Sequence, residues 1–208
     1  MSIEVMKPAE IEKRSFEIIT QILGDREFPP LQEPVVKRVI HTTADFEYAD
    51  QLYFSDQAVQ RMLEALRGGA DIVTDTQMAR AGINKKALAR YGGAVHCFIA
   101  DEDVAAEAAG RGVTRAVVSM EKACGLPGRP IFAIGNAPTA LLQIKALYES
   151  GRLNPAGVIG VPVGFVNVVE SKEELMRTDL PCIVARGRKG GSNVAAAICN
   201  AMLYQLDR

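Results

Sequence analysis

Residues 130–141 have the sequence PIFAIGNAPTAL, in which a short apolar run leads through a turn into a helical pattern. The first part, Pro130–Ile134, is typical of a buried strand. Gly135–Thr139 is rich in residues that favour turns and helix starts. The stretch therefore predicts a strand, a tight turn and a helix over Ala137–Ser150.

The same alternation recurs on both sides of this stretch. Four other apolar runs are predicted to be strands: Asp71–Thr74, Ala94–Ile99, Gly157–Val161 and Pro181–Ala185. Further helices are predicted after an N-cap at Ser55, at Gln77–Tyr91 with a break near Gly82, and at Asp103–Gly110, Thr114–Cys124, Ser171–Arg177 and Ser192–Leu206. This order predicts the α/β class: one doubly wound, mainly parallel five-stranded sheet with helices on both faces.

The part of the chain before residue 55 has a different pattern. A first helix is predicted at Pro8–Leu23, and a second begins near Pro34. An aromatic patch follows, with Phe46, Tyr48, Tyr53 and Phe54 within nine residues. The patch either lines a flat ligand or covers the core. We predict a single domain over 1–208, in which 1–54 contributes to the active site and 55–208 forms the α/β core.

The overall charge excludes some classes of partner. The chain has 24 lysine and arginine residues against 25 aspartate and glutamate residues. No global field favours nucleic acid or an anionic membrane, so any anion-binding site must be local. No apolar run reaches the length of a membrane span. We therefore expect neither nucleic acid nor a membrane as a partner.

The cysteine pattern bears on the compartment. Cys97, Cys124, Cys182 and Cys199 are widely spaced, and all but Cys124 lie in apolar segments. Free, buried thiols in a reducing compartment fit this pattern better than disulfides or zinc. The N-terminus also has no signal-peptide pattern. Both observations predict a cytoplasmic protein.

Residues 38–45, RVIHTTAD, contain one of only two histidines. A helix from Pro34 places Arg38 and His41 on roughly one face, away from the neighbouring valines. Histidine gives or takes a proton near neutral pH, and arginine pairs with carboxylates. From these residues alone, the pair is either an acid or base beside a carboxylate site or a surface pair at a fraying helix end.

Four turns that follow predicted strands have unusual compositions: Thr74–Met78, Gly135–Thr139, Gly160–Phe165 and Arg186–Ser192. The carboxyl ends of parallel strands meet at one edge of a sheet, where ligands bind. The last turn has three cations, three glycines and Ser192 as the predicted N-cap of the final helix. Glycines let the backbone approach a ligand, and amides at a helix start attract anions. The residues therefore predict a polyanion pocket, in an enzyme or a binding protein.

Common catalytic motifs are absent from the sequence, which has no P-loop, no G-x-G-x-x-G and no G-x-S-x-G. Two histidines provide little material for a metal site, and none is predicted. Asp71 and Asp75, like Asp101 and Asp103, fit either magnesium ligands or, more simply, helix caps and turns. His96 lies in an apolar run and is expected to be satisfied within the core.

Five motifs, in the same order, resemble the precorrin-8X methylmutase family of vitamin B12 biosynthesis, and the resemblance covers nearly the whole chain. They are Glu12–Phe16, Arg38–Asp45, Gly135–Leu141, Gly160–Phe165 and Arg186–Ser192. The fold of that family is similar to the one inferred above, and its members act as homodimers. The HTTAD sequence at 41–45 looks more like the branch of the family that acts on cobalt complexes.

The resemblance implies an isomerase that moves a methyl group from carbon 11 to carbon 12 of precorrin-8 or its cobalt complex, giving hydrogenobyrinic or cobyrinic acid. The family's catalytic histidine falls on His41. Its substrate-contacting serine and arginine fall on Ser15 and Arg38, and a further arginine falls on Arg115. His41 is expected to protonate the ring during a sigmatropic shift. Such a shift needs no cofactor, and cobalt, where present, belongs to the substrate.

The corrin substrate carries seven carboxylates around a flat ring, which arginines and helix-start amides suit. The predicted substrate-binding set therefore also includes Arg14, Thr42, Asn136, Thr139, Arg186, Arg188, Gly190, Gly191 and Ser192. The expected partners are a corrinoid and a second copy of the chain. Two alternatives remain: a non-catalytic tetrapyrrole carrier, and a nucleotide or sugar-phosphate enzyme that uses the turn Arg186–Ser192.

Overall fold

The structure is a computed structural model that describes residues 7–207. The described residues form six strands: β1 (Leu52–Phe54), β2 (Ile72–Thr74), β3 (Val95–His96), β4 (Ile131–Ile134), β5 (Gly157–Gly160) and β6 (Cys182–Ala185). They make one sheet in the order β1-β6-β5-β4-β2-β3. Neighbouring strands are parallel, except that β1 runs antiparallel to β6.

Helices connect the strands. They are α1 (Pro8–Leu23), α2 (Glu33–Thr43), α3 (Tyr48–Gln51), α4 (Ala58–Arg67), α5 (Gln77–Gly82), α6 (Lys85–Ala89), α7 (Glu102–Arg111), α8 (Arg115–Lys122), α9 (Pro138–Glu149), α10 (Val168–Met176) and α11 (Ser192–Leu206). A short 3₁₀ turn, Ala123–Gly125, follows α8. The break predicted near Gly82 is the gap between α5 and α6.

The central strands are buried on both faces, as expected for a parallel sheet between two helical layers. Ile131 and Ala133 of β4 pack into a core shared with α1, α2, α4, α6 and α11. Phe132 and Ile134 alternate with them and pack into a second core with α8, α9 and α10. The predicted α/β class and doubly wound sheet are confirmed.

The prediction of five strands is wrong by one, because β1 lies within the aromatic patch. Its three residues pair with β6, and Phe54 lies opposite Ile183 and Leu52 opposite Ala185. Three residues are too few to show an alternating pattern, so no hydrophobic periodicity marks this strand. The strand predicted at Ala94–Ile99 pairs only over Val95–His96.

The aromatic patch covers the core. Tyr48 is buried, and Phe46 and Phe54 pack against the first core. Tyr53 packs against the second core. Residues 7–54 therefore share their core with the α/β part of the chain, while the division predicted at residue 54 stays a prediction.

Three predicted serine N-caps are wrong. Ser55 accepts a hydrogen bond from the Cys182 N–H at 2.8 Å, and α4 begins only after Gln57, which has a left-handed backbone. Ser171 is buried inside α10 and donates to the Val168 carbonyl at 3.0 Å. Ser192 is the first residue of α11, and Gly191 occupies the cap position. Serine also serves in turns and ladders, so its presence before an apolar run does not fix a helix start.

The buried thiols agree with the sequence. Cys97, Cys182 and Cys199 are buried, Cys124 is half-buried, and all four are free. Burial raises the pKa of Cys182 to about 11 and that of Cys199 to about 12. Between residues 7 and 207, no helix combines the length and apolar character needed to cross a bilayer.

Candidate active site

Asp75 ties together the turns that follow β2 and β4. Its side chain is only 2% exposed. Its carboxylate accepts hydrogen bonds from the N–H groups of Gly135 (2.9 Å), Asn136 (2.8 Å) and Ala137 (2.7 Å). Burial raises the pKa of Asp75, while the three amides act in the opposite direction. The amides of the three residues before α9 are thus occupied by the protein's own carboxylate, while the binding role predicted for Asn136 and Thr139 stays a prediction.

A cavity of about 620 Å³ lies beside Asp75, where β2 and β4 are neighbours and the strand order reverses. Arg115, Asn136 and Thr139 are among its lining residues. The Thr139 hydroxyl is 2.9 Å from the hydroxyl of Thr114, which caps α8. The structure therefore brings three of the predicted substrate-binding residues into one cavity.

The turn Arg186–Ser192 is fixed against the turns after β5 and β2. The Gly191 N–H donates to the Val161 carbonyl at 2.8 Å. A Cβ on Gly190 would lie 2.1 Å from the same carbonyl oxygen, so the close approach requires glycine. The Ser192 hydroxyl is 2.7 Å from the Thr76 hydroxyl. Gly190, Gly191 and Ser192 therefore lie at the carboxyl edge of the sheet, as predicted.

The cations of this turn differ in how they are satisfied. The Arg186 guanidinium lies 5.0 Å from the centre of the Tyr53 ring, and that of Arg188 lies 5.9 Å from the centre of the Phe165 ring. Lys189 donates to Asp45 at 2.5 Å and to Glu47 at 2.6 Å. Arg186 and Arg188 form no ion pair with a carboxylate of residues 7–207, so their charge is uncompensated by the chain.

A second group of predicted residues lies where α1 packs against α2. The His41 ring is exposed and stacks on Phe16, with ring centres 5.2 Å apart and planes inclined by 12°. The Arg38 guanidinium lies 4.7 Å from the centre of the Phe16 ring and 5.1 Å from that of Tyr204. Arg38 also pairs with Glu12. The predicted placement of both on one side of α2, away from its buried valines, is confirmed.

The other predicted residues of this group are positioned by their own helices. The Ser15 hydroxyl donates to the Ile11 carbonyl at 2.9 Å, one turn back in α1. Arg14 lies 3.5 Å from Glu17. Thr42 is exposed at the end of α2. We call Arg14, Ser15, Arg38, His41 and Thr42 the helical cluster.

We call the remaining predicted residues the sheet-edge cluster: Arg115, Asn136, Thr139, Arg186, Arg188, Gly190, Gly191 and Ser192. Lys189, which lies between Arg188 and Gly190 of the sheet-edge cluster, donates to Asp45. Asp45 follows His41 of the helical cluster by four residues, so this contact links the two clusters. Arg38 lines a separate groove of about 910 Å³ between α1, α2 and α11. That groove shares no lining residue with the cavity around Arg115, so the described chain places the clusters side by side and not in one cavity.

Two buried charges at this edge are not among the site residues predicted from the sequence. The sequence predicts a turn residue or a magnesium ligand at Asp75, and its position directly after a buried strand is the available signal. Lys172 is 1% exposed, and its ammonium group donates to the carbonyls of Gly187 and Lys189. A lysine on the apolar face of α10, between Val168 and Leu175, was the only sign of it.

The remaining candidate metal ligands have partners in the protein. His96 Nε2 lies 3.0 Å from Asp71, whose other oxygen accepts the Ala94 N–H at 2.7 Å. His96 therefore has a partner, as predicted, but its side chain is 29% exposed and does not lie within the core. Asp101 and Asp103 both pair with Lys122. Across residues 7–207, no three histidine, cysteine or acidic side chains are grouped to hold a metal ion.

The fold and the edge residues define a class: an α/β enzyme fold in which polar turns at the carboxyl ends of parallel strands face a ligand site. The family described as precorrin-8X methylmutase (CbiC) matches residues 10–205. The chain belongs to the precorrin-8X methylmutase family, which confirms the resemblance and the expectation of an isomerase that shifts a methyl group.

Individual relatives agree along nearly the whole chain. A cobalt-precorrin-8 methylmutase of Priestia megaterium is 46% identical over 202 residues, covering 97% of this chain and 90% of the relative. The cobalt-precorrin-8 methylmutase of Salmonella typhimurium is 45% identical, covering 97% of both. A crystal structure of precorrin-8x methyl mutase from Thermus thermophilus superposes with a TM-score of 0.88 at 40% identity, covering 95% of this chain and 98% of that one.

Proposed function

We propose that the protein moves the methyl group on carbon 11 of a corrin precursor to carbon 12, with His41 as the general acid. The observation that carries this proposal is the exposed His41 ring, oriented by Phe16 and adjacent, through Asp45 and Lys189, to the sheet-edge cluster. Histidine is suited to proton transfer near neutral pH. His96, the other histidine, is engaged by Asp71.

The cobalt complex of precorrin-8 is the proposed natural substrate. Relatives named cobalt-precorrin-8 methylmutase are 36% to 46% identical to this chain, whereas those named precorrin-8X methylmutase are 34% to 40% identical. Cobalt enters as part of the substrate, and no cofactor is proposed for the protein itself.

The protein's part in the reaction is to hold the ring and deliver a proton. In a sigmatropic shift, the bond to carbon 11 breaks as the bond to carbon 12 forms, and no nucleophile is needed. A proton donated by His41 to the ring removes electron density from the conjugated system and favours the product arrangement. Because substrate and product are isomers, the ring returns one proton to the imidazole after the methyl group has moved, which restores His41 for the next turnover. Because the reaction is intramolecular, a fixed ring orientation contributes directly to the rate.

The cations and hydroxyls of both clusters are proposed to bind the substrate carboxylates. Arg186 and Arg188 carry charges that no carboxylate of the described chain neutralises, and guanidinium groups bind carboxylates in a bidentate manner. Arg115, Asn136 and Thr139 line the neighbouring cavity. Ser15, Arg14, Arg38 and Thr42 would contact the part of the ring nearest His41. Arg38 would then exchange its pairing with Glu12 for a substrate carboxylate.

We also propose a cytoplasmic homodimer. The free thiols at Cys97, Cys182 and Cys199 suit a reducing compartment. The dimer is supported by three isoleucines of α1, at 11, 18 and 22, which are 53%, 40% and 60% exposed along one side of the helix. Exposed apolar residues that recur along one side of a surface helix are typical of a protein contact.

The test is to incubate the protein separately with precorrin-8 and with its cobalt complex and to follow the visible spectrum of each. Turnover should shift the spectrum, because the migrating methyl group changes the ring conjugation. A carrier would bind the ring and leave the bound spectrum constant with time. We expect faster conversion of the cobalt complex.

The variant His41→Ala should lose turnover by at least about a hundredfold, in the range of general acid catalysis, and still bind the ring. His96→Ala is the matched control, because it removes the other histidine and should keep turnover. Conversion by His41→Ala at the rate of the unmodified protein would exclude His41 as the acid.

A further inference from the structure

Lys172 is a buried cation whose ammonium group, within residues 7–207, hydrogen-bonds only to the backbone of the turn after β6. Its ammonium group donates to the Gly187 carbonyl at 2.8 Å and to the Lys189 carbonyl at 2.9 Å. No Asp or Glu among residues 7–207 pairs with it. A buried charge without a partner of opposite sign is costly, so a protein that keeps one has a use for it.

The two hydrogen bonds determine which way the turn presents its amides. In a trans peptide, the carbonyl and the following N–H point in opposite directions. Because the carbonyls of Gly187 and Lys189 point toward Lys172, the N–H groups of Arg188 and Gly190 point away from α10. Within the described chain, neither N–H donates a hydrogen bond to a protein acceptor.

The Arg188 and Gly190 amides thus point to the same side of the turn, and backbone amides arranged in this way attract anions. The turn needs its glycines for this shape, since Gly187 has φ 71° and Gly190 has φ 157°. The guanidinium of Arg188 belongs to the same turn and forms no ion pair in the described chain. Amides, guanidinium and the ammonium group behind them all favour a negative charge at this place.

We propose that Lys172 is a positioning residue that orients the amides of Arg188 and Gly190 to bind one carboxylate of the substrate. This inference rests on the proposed function and adds a residue to it. Lys172 does not touch the ring. It holds the peptide groups that do, and its positive charge, behind the turn, strengthens the attraction for the carboxylate.

The test compares Lys172→Met with the unmodified protein. Methionine has a similar length and lacks both the charge and the donors. We expect KM for cobalt-precorrin-8, and Kd for hydrogenobyrinic acid measured by visible absorbance, to rise about tenfold, with kcat changed less than twofold. Lys145→Met is the matched control, because Lys145 lies on the adjacent helix α9 and pairs with two carboxylates, Glu149 of α9 and Glu174 of α10. The control should leave all three values unchanged.

Hydrogen exchange in the unmodified protein gives a second readout that does not depend on the folding of the variant. Saturating hydrogenobyrinic acid should slow exchange of the Arg188 and Gly190 amides. Unchanged exchange at both amides, an unchanged KM in Lys172→Met, or a fall in kcat alone would each overturn the proposal. None of these outcomes bears on whether the unmodified protein converts a corrinoid. Failure of the unmodified protein to convert either corrinoid would overturn the proposed function itself.

Discussion

At the scale of single residues, two buried ions of opposite sign organise the carboxyl edge of the sheet. Asp75 accepts three amides from the start of α9, and Lys172 donates to two carbonyls of the turn before α11. Each ion is bonded to backbone groups and not to an opposite charge. The conformations of both turns therefore depend on single side chains.

Asp75→Asn should lower the free energy of unfolding by about 2–3 kcal/mol, because the amide cannot accept from three donors as the carboxylate does. The measurement is urea denaturation at neutral pH. Asp71→Asn is the comparison, since Asp71 accepts only one amide and contacts His96. If both substitutions lower the free energy of unfolding equally, the three hydrogen bonds to Asp75 contribute no more to stability than the contacts of Asp71.

Gly190→Ala should destabilise the protein more than Gly187→Ala. Both residues have positive φ, which costs a substituted residue about 1–2 kcal/mol. Only at Gly190 would the added Cβ also collide, at 2.1 Å from the Val161 carbonyl oxygen, whereas nothing lies within 4 Å at Gly187. Thermal unfolding of both variants checks the order. Equal melting temperatures would show that the turn moves freely away from β5.

At the scale of elements, the hydrophobic pattern was sufficient wherever an element is long or fully buried. The predicted bounds of the first and last helices, Pro8–Leu23 and Ser192–Leu206, are those observed. The pattern failed for β1, whose three residues pair at the sheet edge only because β6 is adjacent. It failed also at Ser55 and Ser171, whose hydroxyls bond to backbone groups outside a helix cap.

The candidate site was predictable in its parts but not in its assembly. Strand ends and glycine-rich turns located the sheet-edge cluster, because parallel strands share their carboxyl edge. The separation of Arg38, in its own groove, from the cavity of Arg115 depends on how α1 and α11 pack on α2. Spacing along the chain contains no information about that packing.

The link between α2 and the last turn should show in acid. Lys189 lowers the pKa of Asp45 below its ordinary value of 3.8. The stabilisation from this pair is therefore complete above about pH 3.8 and is lost as the pH falls through the lowered pKa. Lys189→Met should remove this part of the dependence of stability on pH, whereas Lys85→Met, at an exposed position of α6, should not. Melting temperatures between pH 2.5 and 6 test this, and parallel curves for all three proteins would contradict it.

At the scale of the whole molecule, two surfaces of the described chain each hold several exposed apolar residues, while Leu31, Met78, Val113 and Leu142 are exposed elsewhere. One is the isoleucine stripe of α1, and the other is the turn after β5, where Phe165 is 85% exposed and Val166 is 78% exposed. The turn lies beside Arg188 at the sheet edge, where a flat ring is proposed to bind. The stripe lies on an outer helix and is the better candidate for contact with a second copy.

Light scattering should therefore give a mass of about twice the 22.4 kDa of one chain. The double variant Ile18→Lys, Ile22→Lys should give the mass of one chain, because buried charges oppose association. Val166→Ser, in the turn after β5, is the control and should stay dimeric. If the unmodified protein is a monomer, the homodimer proposal is wrong. If the double variant is still a dimer, the isoleucine stripe is not the interface.

The carboxylate of Asp75 has a consequence for how a many-armed ring would settle on the sheet edge. If the backbone amides before α9 and those before α11 were both vacant, a ring with several carboxylates could bind in more than one rotation. Each rotation would place a different carbon near His41. The Asp75 carboxylate already accepts hydrogen bonds from the amides before α9. Under the proposed function, the amides before α11 would then hold one carboxylate of the ring, and this contact would help to fix which carbon faces His41.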